Sequence, residues 1–347
     1  MDEALQVGVI GLGMGRHHVA GFNAHSQAKV VAICDQQEDR LAEIGDQNNV
    51  PGRYTDAAEM IAEENLDIVS IATPNTFHHA YTLMAFEAGA HVFCEKPMAM
   101  NAHEAREMIE AGRAADKRLM INFSYRFSPQ SWALKNEVDR GTLGDIYYAR
   151  TQWLRRRGMP GFGGWFGTKA LSGGGPLIDL GVHRLDLALW LMGYPRPVWV
   201  MGSTYNHIAS ELARQQGKAF DVEDMAVALI TFENGATLEL EASWAANIAE
   251  EELMQTRLLG TKAGLLQHNV NGTYDFEATI YQERDGAHYD MKLRPPVPGV
   301  TSPMAHFVDA LLADRPHIAT GEEGLIVMEL LDAIYESGAK GEPIRIQ

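Results

Sequence analysis

The chain has 347 residues, enough for two domains with ample core, and at 46% hydrophobic and 22% charged it fits a globular protein rather than a disordered or fibrous one. A formal charge of -17 argues against nucleic acid or an anionic membrane as partner, because neither gains from a negative surface, although a small anion could still bind at a local cluster of donors. Cys34 and Cys94 each end an apolar run and read as reduced core thiols; no apolar span is long enough to cross a bilayer, and MDEALQVGVIGLG enters a strand without a basic leader, so the expected compartment is the cytoplasm.

In chain order, 5–10 reads as a strand, followed by a glycine-rich turn and a helix through His18 and Phe22. KVVAIC (29–34) reads as a strand, 39–47 as a helix, DIVSIA (67–72) as a strand and 77–88 as a helix closed by Gly89. A strand over 91–94, a helix over 102–115 and a strand over 118–123 complete the first third. Strands alternating with helices of this length predict parallel pairing through right-handed crossovers, a doubly wound α/β domain over residues 1–124. Beyond Ser124 the texture changes: a helix near 132–140, a strand over 146–153, a segment with eight glycines in 21 residues (RRRGMPGFGGWFGTKALSGGG) and an apolar helix over 176–192. A series of strands follows, with Asn234-Gly235 and Asp285-Gly286 as hairpin turns, and two helices near 304–313 and 322–338 end the chain. Residues 125–347 therefore read as an α+β domain on a largely antiparallel sheet, its last helix a candidate to pack back on the first domain.

Three segments carry chemistry. GVIGLGMGRHH places Gly11, Gly13, Met14 and Gly15 between the first strand and first helix, where glycines let the backbone approach a pyrophosphate at a helix N-terminus. The spacing is GxGxG instead of GxGxxG, so either Gly15 serves helix–strand packing or Arg16 occupies the third position. Asp35 ends the second strand, where a carboxylate accepts both adenosine ribose hydroxyls and repels a 2'-phosphate; no arginine follows directly, so NAD is expected over NADP. Thr73, Pro74 and Asn75 of IATPNTFHH lie at a strand's carboxyl end, the place where such sheets bind ligands. In VFCEKPMAM, Pro97 holds Lys96 extended at another strand end, beside Glu95. In GGGPLIDLGVHRLDLALWL, Asp179 and His183 are four apart on an otherwise apolar helix, where buried polar groups need partners or a task. The adjacent pairs His17-His18 and His78-His79 suit one metal poorly, and none is expected.

The glycine turn running to His18, the ATPN segment with His78, the EKP triplet, GGGPLIDLGVH and EGLIVMELLDAIYESGAKGEP together make the chain resemble the Gfo/Idh/MocA oxidoreductases over essentially its whole length. The resemblance implies a Rossmann domain followed by a domain with an open antiparallel sheet, oligomers (a homodimer or homotetramer) through that sheet's open face, and a cis peptide before Pro97. It also implies that Lys96, Asp179 and His183 are catalytic, with His78, Glu95 and Lys96 beside the cofactor. The chemistry expected is hydride transfer between NAD and a secondary alcohol of a sugar, glycoside or cyclitol. His183 serves as base, Lys96 holds the reacting oxygen and Asp179 orients substrate, with lysine as base the rival assignment. A pocket rim of Tyr125, Arg126, Arg156, Trp165 and Lys169 suits a polyhydroxylated ring, and Arg155, Arg156 and Arg157 either face it or are solvated. Two other readings share the fold: a glycosidase that retains NAD through a redox-neutral cycle, and a non-catalytic NAD sensor, which has no need of a general base.

Overall fold

The computed structural model describes residues 4–294 and 301–346; residues 1–3, at the head of the stretch read as leaderless, lie outside it. The chain divides into two compact units, Met1–Asn122 with Thr301–Met328, and Phe123–Val300 with Glu329–Gln347.

The first unit alternates β1 (Leu5–Ile10), α1 (Leu12–Asn23), β2 (Ala28–Cys34), α2 (Glu38–Asn48), β3 (Gly52–Tyr54), α3 (Ala57–Glu63), β4 (Ile68–Ile71), α4 (His78–Glu87), β5 (His91–Cys94), α5 (Ala102–Ala114) and β6 (Leu119–Ile121). The six strands form one parallel sheet in the order β3-β2-β1-β4-β5-β6, the expected doubly wound arrangement. Its strands read as continuous apolar runs because parallel strands are buried on both faces; Val7, Val9, Ile33, Ile68, Val69 and Phe93 are fully buried. The strand order reverses between β1 and β4, so the crevice at a topological switch point opens beside Gly11 and Thr73. The sequence reading missed β3 and α3. A three-residue strand is too short to show a period, and α3 is only seven residues long.

The second unit holds α6 (Pro129–Asp139), β7 (Ile146–Arg155), α7 (Lys169–Ser172), α8 (Val182–Met192), β8 (Pro197–Tyr205), α9 (Ala209–Gln215), β9 (Met225–Phe232), β10 (Thr237–Ser243), β11 (Glu252–Gly260), β12 (Ala263–Asn269), β13 (Phe276–Arg284) and β14 (Ala287–Lys292). Later in the chain, α10 (Pro303–Leu312) and the start of α11 (Gly321–Lys340) belong to the first unit, while the rest of α11 and β15 (Ile344–Arg345) belong to the second. The nine-stranded sheet runs β14-β13-β12-β11-β7-β10-β9-β8-β15. Its pairs are antiparallel except β7 with β10, which are parallel. Both predicted hairpins form, with Gly235 and Gly286 at φ 83° and 78°, values glycine adopts without strain. Helix α8 is buried from Arg184 through Leu191, as its all-round apolar sequence requires. It packs on β7 and β11, leaving the sheet's other face to present Trp199, Met201 and Leu229 on neighbouring strands β8 and β9. No helix among the described residues is long and apolar enough to cross a membrane.

Candidate active site

In the first unit, the turn after β1 is built to let a ligand approach backbone. Gly11 has φ 84°, and a Cβ there would lie 2.6 Å from the Ala72 carbonyl oxygen, so a side chain is excluded on both counts. A Cβ on Gly13 would meet nothing within 4 Å, whereas one on Gly15 would lie 3.0 Å from Val9, so Gly15 is the position packed closely against a strand. Met14, between them, is exposed. Asp35 sits at the end of β2, where its Oδ2 accepts from the Leu12 N–H at 2.7 Å and its Oδ1 accepts from the Gln37 N–H at 2.8 Å. Arg40 reaches back from α2 to Asp35 Oδ2 at 3.2 Å, a guanidinium brought to the carboxylate by one helical turn rather than by sequence adjacency.

Two polar atoms at strand ends on either side of β5 are buried without a protein partner: Thr73 Oγ1 after β4 and Asn122 Oδ1 after β6. Buried polar atoms in native structures are nearly always satisfied, so such atoms beside a glycine turn mark where a polar ligand belongs. With a carboxylate at the ribose position and an open backbone approach at Gly13, these residues fit an extended dinucleotide running across the carboxyl ends of the strands.

The Glu95-Lys96-Pro97 turn is braced from below. Glu95 Oε1 accepts from Asn122 Nδ2 at 2.7 Å and lies 2.9 Å from His18 Nε2, while Oε2 accepts from the Lys96 N–H at 3.1 Å. His18 Nδ1 continues the chain to Ser70 Oγ at 2.8 Å. Burial alone would raise the Glu95 pKa, but His18, Lys96 and Asn122 together hold it down at about 2, so the carboxylate stays ionised. The peptide before Pro97 is cis. His78, expected beside the cofactor, is fully buried, with Nδ1 at 2.8 Å from the Pro97 oxygen and Nε2 at 3.0 Å from the Thr73 oxygen. It links the loop after β4 to the one after β5 through its two ring nitrogens.

In the second unit, Asp179 and His183 do not share one regular α-helix. Leu177–Gly181 is a π-helical turn, and α8 starts only at Val182. Asp179 Oδ2 accepts from the Trp244 indole at 3.0 Å. The His183 ring lies against Tyr125, 5.0 Å between centroids and T-shaped, and against Trp153 at 5.5 Å. Burial pushes the Tyr125 hydroxyl up to about 12. The turn bearing Asp179 is clamped by Glu223, whose oxygens accept from Gly175 N–H (2.9 Å), Leu177 N–H (3.1 Å) and the Tyr335 hydroxyl of α11 (2.9 Å). This explains the triple glycine: a Cβ on Gly174 would lie 1.9 Å from the Tyr335 hydroxyl and one on Gly175 2.0 Å from the Glu223 carbonyl oxygen.

Two of the expected rim residues are placed differently. Arg126 is 0% exposed and ion-pairs with Asp186, its Nε donating to Oδ2 at 2.9 Å and its Nη2 to Oδ1 at 2.5 Å, while the Tyr194 hydroxyl also donates to Oδ1 at 2.9 Å. It is a core residue because burying Asp186 on α8 demands a cation. Arg156 is half-exposed and faces Glu251 at 3.5 Å. Of the three consecutive arginines, Arg155 turns inward: its guanidinium stacks 5.4 Å from the Trp153 ring and its Nε donates to Glu252 at 2.8 Å. Arg157 stays exposed, bonded to Asn247 at 2.8 Å. Trp165 is half-buried and stacked on Phe166, and Lys169 is exposed with its ammonium 5.9 Å from the Tyr335 ring. Asn122, Trp244 and Glu252 escaped the sequence reading. Of these only Asn122 left a trace, as the polar residue that ends the apolar run LMI. Among the described residues, no group of three or more His, Cys, Asp or Glu is arranged to hold a metal ion.

Residues 5–123 match the family model described as "Oxidoreductase family, NAD-binding Rossmann fold" and residues 135–346 the one described as "Oxidoreductase family, C-terminal alpha/beta domain". The chain is 33% identical to the D-glucoside 3-dehydrogenase of Escherichia coli K12, covering 99% of this chain and 98% of that protein. It is 27% identical to the myo-inositol 2-dehydrogenase of Thermotoga maritima, over 99% of each. The crystal structure of the aldose-aldose oxidoreductase of Caulobacter crescentus, complexed with glycerol, superposes with a TM-score of 0.83 at 26% identity, covering 99% of this chain and 100% of that one.

Proposed function

Since the chain belongs to the Gfo/Idh/MocA oxidoreductase family, with an NAD-binding Rossmann domain and the family's C-terminal domain, we propose that it oxidises a secondary alcohol of a neutral sugar, glycoside or cyclitol, or reduces the matching ketone. NAD supplies the acceptor for the hydride that leaves the carbinol carbon. The chain's own residues manage the proton and the charge. His183 takes the hydroxyl proton, Lys96 holds the oxygen through its ammonium as negative charge develops, and Asp179 binds a neighbouring hydroxyl. Gly11, Gly13, Met14 and Gly15 accommodate the pyrophosphate, Asp35 the ribose, and Thr73, Pro74 and Asn75 the stretch toward the nicotinamide. Glu95 acts one step back, by fixing the backbone of Lys96.

The observation that carries this reading is the surroundings of His183: an imidazole set between the rings of Tyr125 and Trp153, four residues from a carboxylate held by an indole. Aromatic faces beside fixed hydrogen-bonding groups suit a polyhydroxylated ring. Charge favours a neutral one, because Arg155 is already neutralised by Glu252 and Arg156 faces Glu251. The likeness to a glucoside dehydrogenase and an inositol dehydrogenase points the same way. The test is NADH formation across glucosides, cyclitols, aldoses and uronates. Turnover of glucosides or cyclitols above uronates is expected; uronates as the preferred class, or no NADH from any of them, would reject the proposal.

The open face of the second unit's sheet is read as the surface through which copies associate, because it presents Trp199, Met201 and Leu229 together. Light scattering is expected to give a dimer or tetramer, and Leu229→Glu to lower the mass. A monomeric mass for the unaltered protein would refute it.

A further inference from the structure

The residue after His183 is the least expected charge in the molecule. Arg184 is 0% exposed, yet among the described residues no carboxylate lies within ion-pair distance of it, and its Nε has no hydrogen-bond partner. Its polar contacts are with neutral groups: Nη1 lies 3.5 Å from Gln267 Oε1, Nη2 lies 3.8 Å from the Met254 sulfur, and the Tyr125 hydroxyl is a hydrogen-bond partner, while Glu252 acts on it only at longer range. Three ring faces replace a counter-ion, with the guanidinium carbon 4.4 Å from the Tyr125 centroid, 5.1 Å from Phe276 and 5.5 Å from Trp153. A guanidinium cannot shed its proton to escape burial, so the second unit keeps a full positive charge in its interior. Tyr125 and Trp153 are also the two rings that flank His183.

We propose that Arg184 is a positioning residue of an electrostatic kind: its buried charge disfavours a second positive charge on the neighbouring imidazole and so keeps His183 in its proton-accepting form. A cation packed on the same two rings as the imidazole disfavours the imidazolium, and buried apolar ring walls screen the interaction poorly. The other charged or titratable groups around these rings leave that balance in place. Arg155 and Glu252 form a 2.8 Å ion pair and largely cancel, and Tyr125 and Tyr274 are neutral at ordinary pH. Asp179 opposes Arg184 in sign, and its Oδ2 accepts from the Trp244 indole at 3.0 Å, which turns that oxygen toward Trp244. A helix with an apolar residue at position 184 would pack at lower cost, and what it would lack is this field at position 183.

The inference rests on His183 being the base, and its test separates the two. Histidine-15N NMR follows the His183 ring without substrate, the resonance being identified by its disappearance in His183→Asn. In Arg184→Met the ring's titration midpoint is expected to rise by on the order of one pH unit, and the acid limb of kcat/KM for the best substrate of the screen to rise with it. Arg184→Lys, which keeps the charge, should restore most of the shift, a recovery that a purely structural role would not produce. A midpoint unchanged or lowered in folded Arg184→Met overturns the proposal. If that variant does not fold, Arg184→Gln replaces it, with the same rise expected; a midpoint unchanged or lowered in that variant overturns the proposal. A midpoint that moves while kcat/KM does not follow supports the field of Arg184 and overturns His183 as the base.

Discussion

Lys96→Ala and His183→Ala should each lower kcat for the best substrate by about 10²–10⁴-fold, the range lost when a positioned acid–base group or an oxyanion partner is removed. Their binding of NADH, followed by fluorescence, should change by less than about tenfold, or roughly 1.4 kcal/mol. The reason is structural. The glycine turn, Asp35 and the orphaned hydroxyl of Thr73 are all outside the two altered side chains, so the dinucleotide keeps its main supports. The two variants should differ in pH dependence. Without the imidazole the remaining rate should lose its acid limb, whereas without the ammonium the limb should persist at a lower plateau. The opposite pattern would make lysine the base and histidine the group that positions. Full turnover in both would remove the catalytic assignment altogether.

Arg126→Met is expected to be the most destabilising of the changes considered. It leaves Asp186, 1% exposed, without the guanidinium that neutralises it, and breaking a buried pair from one side costs about 3–5 kcal/mol. For a unit of this size that corresponds to a fall in melting temperature of roughly 6–20 °C. The paired replacement Arg126→Met with Asp186→Leu should recover much of the loss, because the desolvated charge is then gone rather than stranded. Calorimetry of the two variants checks this. A single variant that melts with the unaltered protein would return Arg126 to the pocket rim where the sequence reading put it.

Arg126, expected at a rim and found buried against Asp186, shows where sequence reasoning stops. The parallel sheet was legible because strands buried on both faces must be apolar throughout, and DIVSIA and HVFC are nearly that. The Asp179 and His183 pair was legible because a carboxylate and an imidazole four residues apart stand in a segment that is mostly apolar, just after a run of glycines. The π-turn beneath them was not, since apolar spacing reports which side chains are buried and says nothing of which carbonyl each N–H bonds. Arg126 and Asp186 are 60 residues apart, and Arg184 meets Tyr125, Trp153 and Phe276 from three separate segments. Partnerships of that kind exist only after the chain has folded. The parallel pairing of β7 with β10 is invisible for the same reason: their neighbours in sequence suggest hairpins, and the sheet centre is made by strands far apart.

The clamp on Gly174 and Gly175 divides the glycine-rich segment into two regimes of tolerance. The last two glycines are hemmed in by a phenol and a carbonyl, and any larger residue there would dislodge the carboxylate-bearing turn with them. Gly161, fourteen residues earlier, faces open space, and a Cβ on Gly164 would meet only the Gly161 oxygen, at 3.4 Å. Gly161 and Gly164 can therefore gain side chains while the turn that bears Asp179 stays where it is.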